Sequence, residues 1–417
     1  MKEKKKEEKL KNDNDFLDLS KEGSSELIIN KNNKKIDSFE IISKEEKDSD
    51  DDYGFSELTF KVIYEEDPLF KHVISHISDY LKKNSENSDK KTIEILTNFI
   101  NYDEFSEEII NNILLHGIPE SLPCLRPLIW KSLIGFFPLK DLSKWGKITI
   151  QKKSDYQKII EKYKYYPNKI KDEKHLVIIN QIDKDLPRTR FDVPFFEDKN
   201  INNEKETNYD VLRRILFFYA NEHGEVSYIQ GMNEIIAIIF YIFSKDDNEF
   251  CKEYSESDSY YTFEILMEQI KEIFQMDDLN YSELFLTLQI KEIKKILKKM
   301  EPDLFNYFKK IGLEIDNFVM RWILVLFAHE FKIDKAVNFW DRLFTQQDKM
   351  KFICYISVAI IKSNKKNIME MDAEGVMEWA KQLQNKMNEI DITNIVKSAL
   401  EIQHKHHKYK SNNIIIK

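Results

Sequence analysis

The chain has 417 residues, 42 % of them apolar and 33 % charged, with a formal net charge of −9. That is enough apolar material for one large or two medium domains under a heavily charged surface, and the negative balance argues against a general nucleic-acid binder. Three separated cysteines, Cys124, Cys251 and Cys354, show no C-x-x-C spacing, which fits inert thiols in a reducing compartment rather than a disulfide or zinc framework.

The first ten residues, MKEKKKEEKL, lack the apolar core of a signal peptide. The longest apolar runs, 235–243 and 352–361, reach about half of the roughly 20 residues that span a bilayer. A cytoplasmic protein is expected, with any membrane association peripheral. Nine glycines and nine prolines are sparse punctuation for long 3.6-residue periodicities, and the expected fold class is all-α.

Residues 1–54 are rich in Lys, Glu, Asp, Asn and Ser and carry the block KEEKDSDDD. They read as a disordered charged tail, with an acidic interaction tail as the functional alternative. Residues 55–112 read as a helical extension. His72 and His76 stand at i, i+4 there, but no third ligand lies near enough to make a metal site. One or two amphipathic helices are expected over 92–115, broken near Asp103.

Gly117 ends that helical stretch and Pro119 prevents its resumption. Arg126 and Trp130, at i, i+4, read as a packed tryptophan with an arginine stem beside it. A charged, tyrosine-rich helical region covers 142–164. The next helix, over 175–184, runs out at Asp185, and Pro187 forbids its smooth continuation. Arg188 therefore sits on a short, stiff connection. Its guanidinium, a planar fork of five donors, suits a phosphate or a carboxylate. The plainer alternative is a surface arginine paired with Asp185 or Asp192.

Pro194 predicts an extended connection over 191–196, a polar loop follows over 198–208, and 209–220 is a helix with one buried face. Gln230, between Tyr228 and Gly231, lies near the start of the following helix and on its own reads as a helix-start polar residue. That helix, 234–243, is almost wholly apolar and should be buried. A polar surface segment is expected over 244–258, then amphipathic helices over 260–274 and 282–300. In the latter, Phe285, Leu288, Ile293, Leu297 and Met300 are expected on one face. Pro302 starts a helix that Gly312 stops. Residues 352–361 read as a buried helix, with a strand as the alternative, and 373–386 as a charged helix. Residues 401–417, with His404, His406 and His407, read as a frayed tail.

The chain contains no G-x-x-x-x-G-K-[ST] loop, no G-x-S-x-G elbow and no H-E-x-x-H motif, so these nucleotide-binding, hydrolase and metalloprotease chemistries lack support. Instead, two stretches about forty residues apart, IDKDLPR at 182–188 and YIQGMN at 228–233, resemble the paired signature of the TBC domain (Tre-2/Bub2/Cdc16). The first pattern falls on Ile182, Asp185 and Arg188, the second on Tyr228, Gln230, Gly231, Met232 and Asn233. Further agreement comes from G-I-P followed by Arg126 and Trp130, from Arg321, Trp322, Glu330 and Phe331, and from FWDRLF at 339–344. These last stretches read as core packing and intradomain ion pairing.

The resemblance implies a multi-helix fold in two helical subdomains over 113–400. It also implies a GTPase-activating protein that accelerates GTP hydrolysis by a Rab-family small GTPase. In the mechanism described for the family, Arg188 would neutralise phosphoryl charge and Gln230 would hold the attacking water. Asp185 would brace the arginine loop, with Tyr228 in support. The chain would need no cofactor of its own, because GTP and Mg²⁺ arrive with the GTP-bound partner. A non-catalytic scaffold that holds a Rab or an effector is the alternative. Two departures stand out. Ser227 occupies a position that is usually glycine, and Arg190–Phe191 stand where R-T-F-P is common, so Arg190 is a competing candidate for the finger.

Overall fold

The computed structural model describes residues 41–42, 59–60, 107–118, 125–139, 144–165, 172–200, 203–224, 226–245, 249–274, 279–383 and 391–415. The expectations for a disordered tail, for His72 and His76 and for a break at Asp103 fall outside them, apart from a two-residue antiparallel pairing of Ile41–Ile42 with Thr59–Phe60. All described residues belong to one compact unit, Phe39–Lys417, and they are overwhelmingly helical.

The described helices, in chain order, are α1 (Glu107–His116), α2 (Leu125–Ile134), α3 (Trp145–Tyr163), α4 (Glu173–Asp185), α5 (Asn208–Glu222), α6 (Met232–Ser244), α7 (Glu249–Ile270), α8 (Leu279–Met300), α9 (Pro302–Lys310), α10 (Asp316–Leu324), α11 (Ile333–Phe344), α12 (Lys349–Ser363), α13 (Lys365–Ile368), α14 (Ala373–Lys381) and α15 (Ile392–Ile415). Two of them are apolar nearly all round and therefore lie inside. Met232 to Phe240 of α6 are all buried, and so are Phe352 to Ile361 of α12. Helix α6 packs against α7, and α12 packs against α8 and α15.

The Arg126–Trp130 and FWDRLF stretches meet at one carboxylate. Asp341 on α11, fully buried, accepts from Arg126 Nε (2.9 Å), Arg126 Nη2 (3.1 Å), Trp130 Nε1 (2.8 Å) and the Ile118 amide (3.0 Å). A buried carboxylate is tolerated only when paired and hydrogen-bonded in this way. The arginine of α2 is thus an ion-pair partner as well as a packed stem. Arg321 likewise pairs two nitrogens with the buried Glu330.

Several expectations are corrected. Pro194 opens a 3₁₀ turn, Pro194–Phe196, and the extended residue is Val193 before it, because the proline ring fixes φ for a first helical position and pushes its predecessor to β. Within the 198–208 stretch, Lys199–Asn200 pairs antiparallel with Asn203–Thr207. Thr207 then caps α5 in a reciprocal capping box with Asp210.

Residues 249–258 belong to α7, and Ser255, Ser257 and Asp258 are buried. Their side chains are small, and the Asp258 charge meets Lys131 Nζ of α2 at 2.5 Å. Burial pushes the Asp258 carboxyl above its ordinary range, against the pull of Lys131. On α8, Leu288 is 49 % exposed whereas Ile290, Ile293, Ile296 and Leu297 are buried. At about 100° per residue, Leu288 lies roughly 150° from the centre of that stripe. Residues 404–407 continue α15 rather than fraying, and His406 is buried with Nδ1 at 3.1 Å from the Tyr355 hydroxyl. No described helix is long and apolar enough to cross a membrane. No group of three His, Cys, Asp or Glu among the described residues could hold a metal ion.

Candidate functional site

Helix α4 begins at the capping side chain of Asp172, which accepts from the Lys174 and His175 amides. It ends at Asp185, where Pro187 sits inside a 3₁₀ turn, Leu186–Arg188. The turn places Arg188 at the surface with its side chain 71 % exposed. Arg188 Nη2 donates to the Lys184 carbonyl (3.2 Å) and to Asp185 Oδ1 (3.1 Å). Both bonds use one nitrogen, Nη2, at the edge of the guanidinium that faces Asp185.

The second stretch lies between α5 and α6. Ser227 takes a left-handed conformation, φ 54°, and Gly231 takes φ 108°. A β-carbon on Gly231 would stand 3.1 Å from Val325 Cγ1, so conformation and space both call for glycine. Between these two bends, Tyr228 points inward and Gln230 outward, exposed to solvent.

The two loops are bonded to each other. The Tyr228 hydroxyl donates to Asp185 Oδ2 at 2.7 Å, so Asp185 holds the arginine with one oxygen and the glutamine loop with the other. Asn233, at the start of α6, donates through Nδ2 to Thr189 Oγ1 (2.8 Å) and accepts the Gly231 amide on Oδ1 (2.9 Å). Thr189 donates its hydroxyl to the Asp185 carbonyl and accepts the Tyr209 hydroxyl on its own carbonyl. Burial, and then the Asp185 hydrogen bond, push the Tyr228 phenol far above its ordinary pKa. It therefore stays a donor across the whole physiological range.

Asp185, Arg188, Gln230 and Asn233 line one groove of about 420 Å³, with Glu234, Arg321, Leu324 and His329 on its other walls. His329 Nδ1 lies 3.6 Å from Glu234 Oε1, and this carboxylate raises the imidazole pKa above its usual value. All four residues singled out in the sequence thus come together. Asn233 and Thr189, which tie the loops, and His329 and Glu234, which line the groove, were not singled out. Asn233 lay within a recognised motif, but no local pattern tells that its amide reaches a threonine 44 positions earlier.

Arg190 does not line the groove. Its side chain is buried, Nη1 donating to the Ala328 and Phe331 carbonyls (2.9 and 2.8 Å) and Nη2 pairing with Asp192 (2.9 Å). It anchors the loop from inside, so one exposed guanidinium, that of Arg188, lines the groove from this segment.

The Rab-GTPase-TBC domain family model matches residues 123–369, more than half of the chain. TBC1 domain family member 13 of Homo sapiens is 29 % identical over 167 residues, 40 % of this chain and 42 % of that protein. GTPase-activating protein GYP1 of Saccharomyces cerevisiae is 26 % identical over 254 residues, 57 % of this chain and 37 % of that protein. The matched part is under half the length of both relatives. Among solved structures, the Ypt/Rab-GAP domain of Gyp1p matches with a TM-score of 0.62 at 20 % identity, covering 81 % of this chain and 99 % of that domain. The Chlamydomonas flagellar RabGAP TBC domain matches with a TM-score of 0.53 at 16 % identity, covering 78 % and 94 %. At these identities the structures share the fold.

Proposed function

The chain belongs to the Rab-GTPase-TBC domain family, and on that premise we propose that it accelerates GTP hydrolysis by a Rab-family GTPase, supplying Arg188 and Gln230 to the partner's active site. The observation that carries this reading is the shared mount. Two side chains of complementary chemistry project into one groove, and Asp185 and Tyr228 bond their loops together.

The division of labour follows from the groups. In phosphoryl transfer, charge spreads over the transferring group and the leaving oxygen, while the attacking water has to be held in line. The Arg188 guanidinium, held through Nη2 by Asp185, offers its Nη1 hydrogens to that charge. The Gln230 carboxamide, both donor and acceptor, orients the water. Asp185 and Tyr228 act through these two residues as positioning groups. GTP and Mg²⁺ belong to the partner as its substrate and its ion. Nothing in this assignment asks the chain to hydrolyse GTP alone.

Single-turnover hydrolysis by a panel of GTP-loaded Rabs tests the proposal, using the wild-type chain, Arg188→Ala and Gln230→Ala. At least one Rab is accelerated by wild type, and Arg188→Ala removes roughly 10³-fold or more of the rate, the scale of an arginine supplied in trans. Binding of GTP-loaded Rabs without any acceleration would overturn the catalytic assignment in favour of a scaffold.

A further inference from the structure

Phe191 is the most exposed large apolar side chain among the described residues, at 73 %. A lone exposed apolar residue needs no explanation, but this one is held out by its neighbours. Arg190, directly before it, takes φ 45° and buries its guanidinium on the Ala328 and Phe331 carbonyls. Asp192, directly after it, closes on the same guanidinium, and the Val193 amide donates to the Arg190 carbonyl at 2.8 Å. Phe191 is therefore the tip of a turn locked from both sides.

Its place on the loop matters as much as its rigidity. Three residues of chain span at most about 10 Å, so Phe191 lies within that distance of the Arg188 backbone. A standard protein interface covers about 800 Å² per partner, a patch reaching on the order of 15 Å from its centre. A standard-sized patch centred on Arg188 is therefore wide enough to reach Phe191 as well. Rigid aromatic side chains that lose little freedom on docking are the usual anchors of such contacts.

We infer that Phe191 is a specificity-determining contact, inserting into an apolar recess that the responsive GTPase presents beside the mouth of its nucleotide site. The inference rests on the reading of Arg188 as the finger. A phenyl ring has no hydrogen bond to offer, so a GTPase with a charged or polar side chain at this place leaves that group desolvated and unpaired and is rejected. Phe191 thereby selects partners within the Rab class, while Arg188 and Gln230 do the chemistry on whichever partner docks.

The test measures single-turnover hydrolysis by each GTP-loaded Rab over a range of concentrations of the full chain, as wild type, Phe191→Ala, Phe191→Leu and Arg188→Ala. On the responsive Rab, Phe191→Ala is expected to raise the half-saturating concentration about tenfold, the scale for losing one buried aromatic contact, and to leave the saturating rate within about twofold. Phe191→Leu recovers most of the lost affinity. Arg188→Ala shows the opposite split, a lost rate with a retained half-saturation. The melting temperature of Phe191→Ala stays at the wild-type value, because the ring is exposed. If Phe191→Ala saturates at the wild-type concentration while Arg188→Ala is inactive, the inference is overturned and the finger stands. If Phe191→Ala changes only the self-association of the chain in sedimentation, the ring serves a second copy and the inference is likewise overturned. If wild type accelerates no Rab, the functional reading fails and takes the inference with it.

Discussion

Replacing Asp185 with asparagine removes one charge and keeps the shape. The residue makes two bonds of different kinds, and the substitution separates them. Towards Tyr228 the amide oxygen still accepts the hydroxyl that now donates to Asp185 Oδ2 at 2.7 Å. Towards Arg188 the attraction is lost, because the group facing Nη2 becomes a neutral amide in place of the carboxylate oxygen at 3.1 Å. That ion pair is largely open to water on the arginine side, 71 % exposed against 11 %, so its stability contribution falls in the range of about 0.2–1 kcal/mol. In the proposed finger role its kinetic worth is larger. An arginine side chain carries about 2 kcal/mol of rotamer entropy, and an unbraced Arg188 has to lose that freedom on reaching the partner's phosphates. The upper bound on the penalty is therefore about 30-fold in rate, at 1.36 kcal/mol per tenfold. Asp185→Asn is expected to lower the saturating single-turnover rate about tenfold and to shift the urea unfolding free energy by less than about 1 kcal/mol. An unchanged rate would show that the ion pair does not position the finger. A loss as deep as that of Arg188→Ala would show that Asp185 does more than hold it.

Removing the buried anchor with Arg190→Met takes away the guanidinium that two buried carbonyls and Asp192 share. It is expected to cost about 3–5 kcal/mol in unfolding experiments, and a variant of wild-type stability that still fails to activate would return Arg190 to candidacy as a finger. Asp341→Asn strips the charge from a carboxylate that holds Arg126, Trp130 and the Ile118 amide. A loss of similar size, about 3–5 kcal/mol, should appear in its melting curve, and near-native stability would refute the hub. Ser227→Gly relieves a left-handed backbone and should raise stability by roughly 0.5–1 kcal/mol, read from the urea midpoint; a decrease would contradict the assigned conformation. His329, raised by Glu234, binds its proton more tightly when folded. Its contribution to stability is complete below its unfolded pKa near 6.5 and is lost as pH rises through the higher folded value. Titration of the imidazole by NMR should give a pKa above that of the unfolded chain in wild type and a lower one in Glu234→Gln; equal values would break the pair.

Much of the candidate site's geometry was legible because its residues stand in short local patterns. A proline two residues after a helix end displays an arginine, and a glutamine beside a glycine opens an apolar helix. Asp185 was read as a brace for the arginine loop, and its Oδ1 does bond Arg188. What could not be read locally were bonds that depend on tertiary approach, such as Asn233 to Thr189 or Asp341 to α2. The misreadings share a cause. The strand NEKET has a composition poor in β-formers and is revealed only by its pairing with Lys199–Asn200. The serines and Asp258 of α7 looked like surface because polarity was judged without size or partner, and Lys131 lies 127 positions away. His406 was assigned to a tail because neither its neighbours nor its spacing reveal Tyr355.

Because Asp185, Thr189, Tyr228 and Asn233 tie the arginine loop to the glutamine loop, the two are fastened and unfastened as one cooperative unit. Warming or a nick in either segment does not produce a chain with half of its chemistry. Both loops are expected to come free in a single subglobal opening. Amide protons on the two sides, in the turns at Thr189 and at Gly231, are then expected to exchange with solvent at a common rate, and a change that slows one to slow the other.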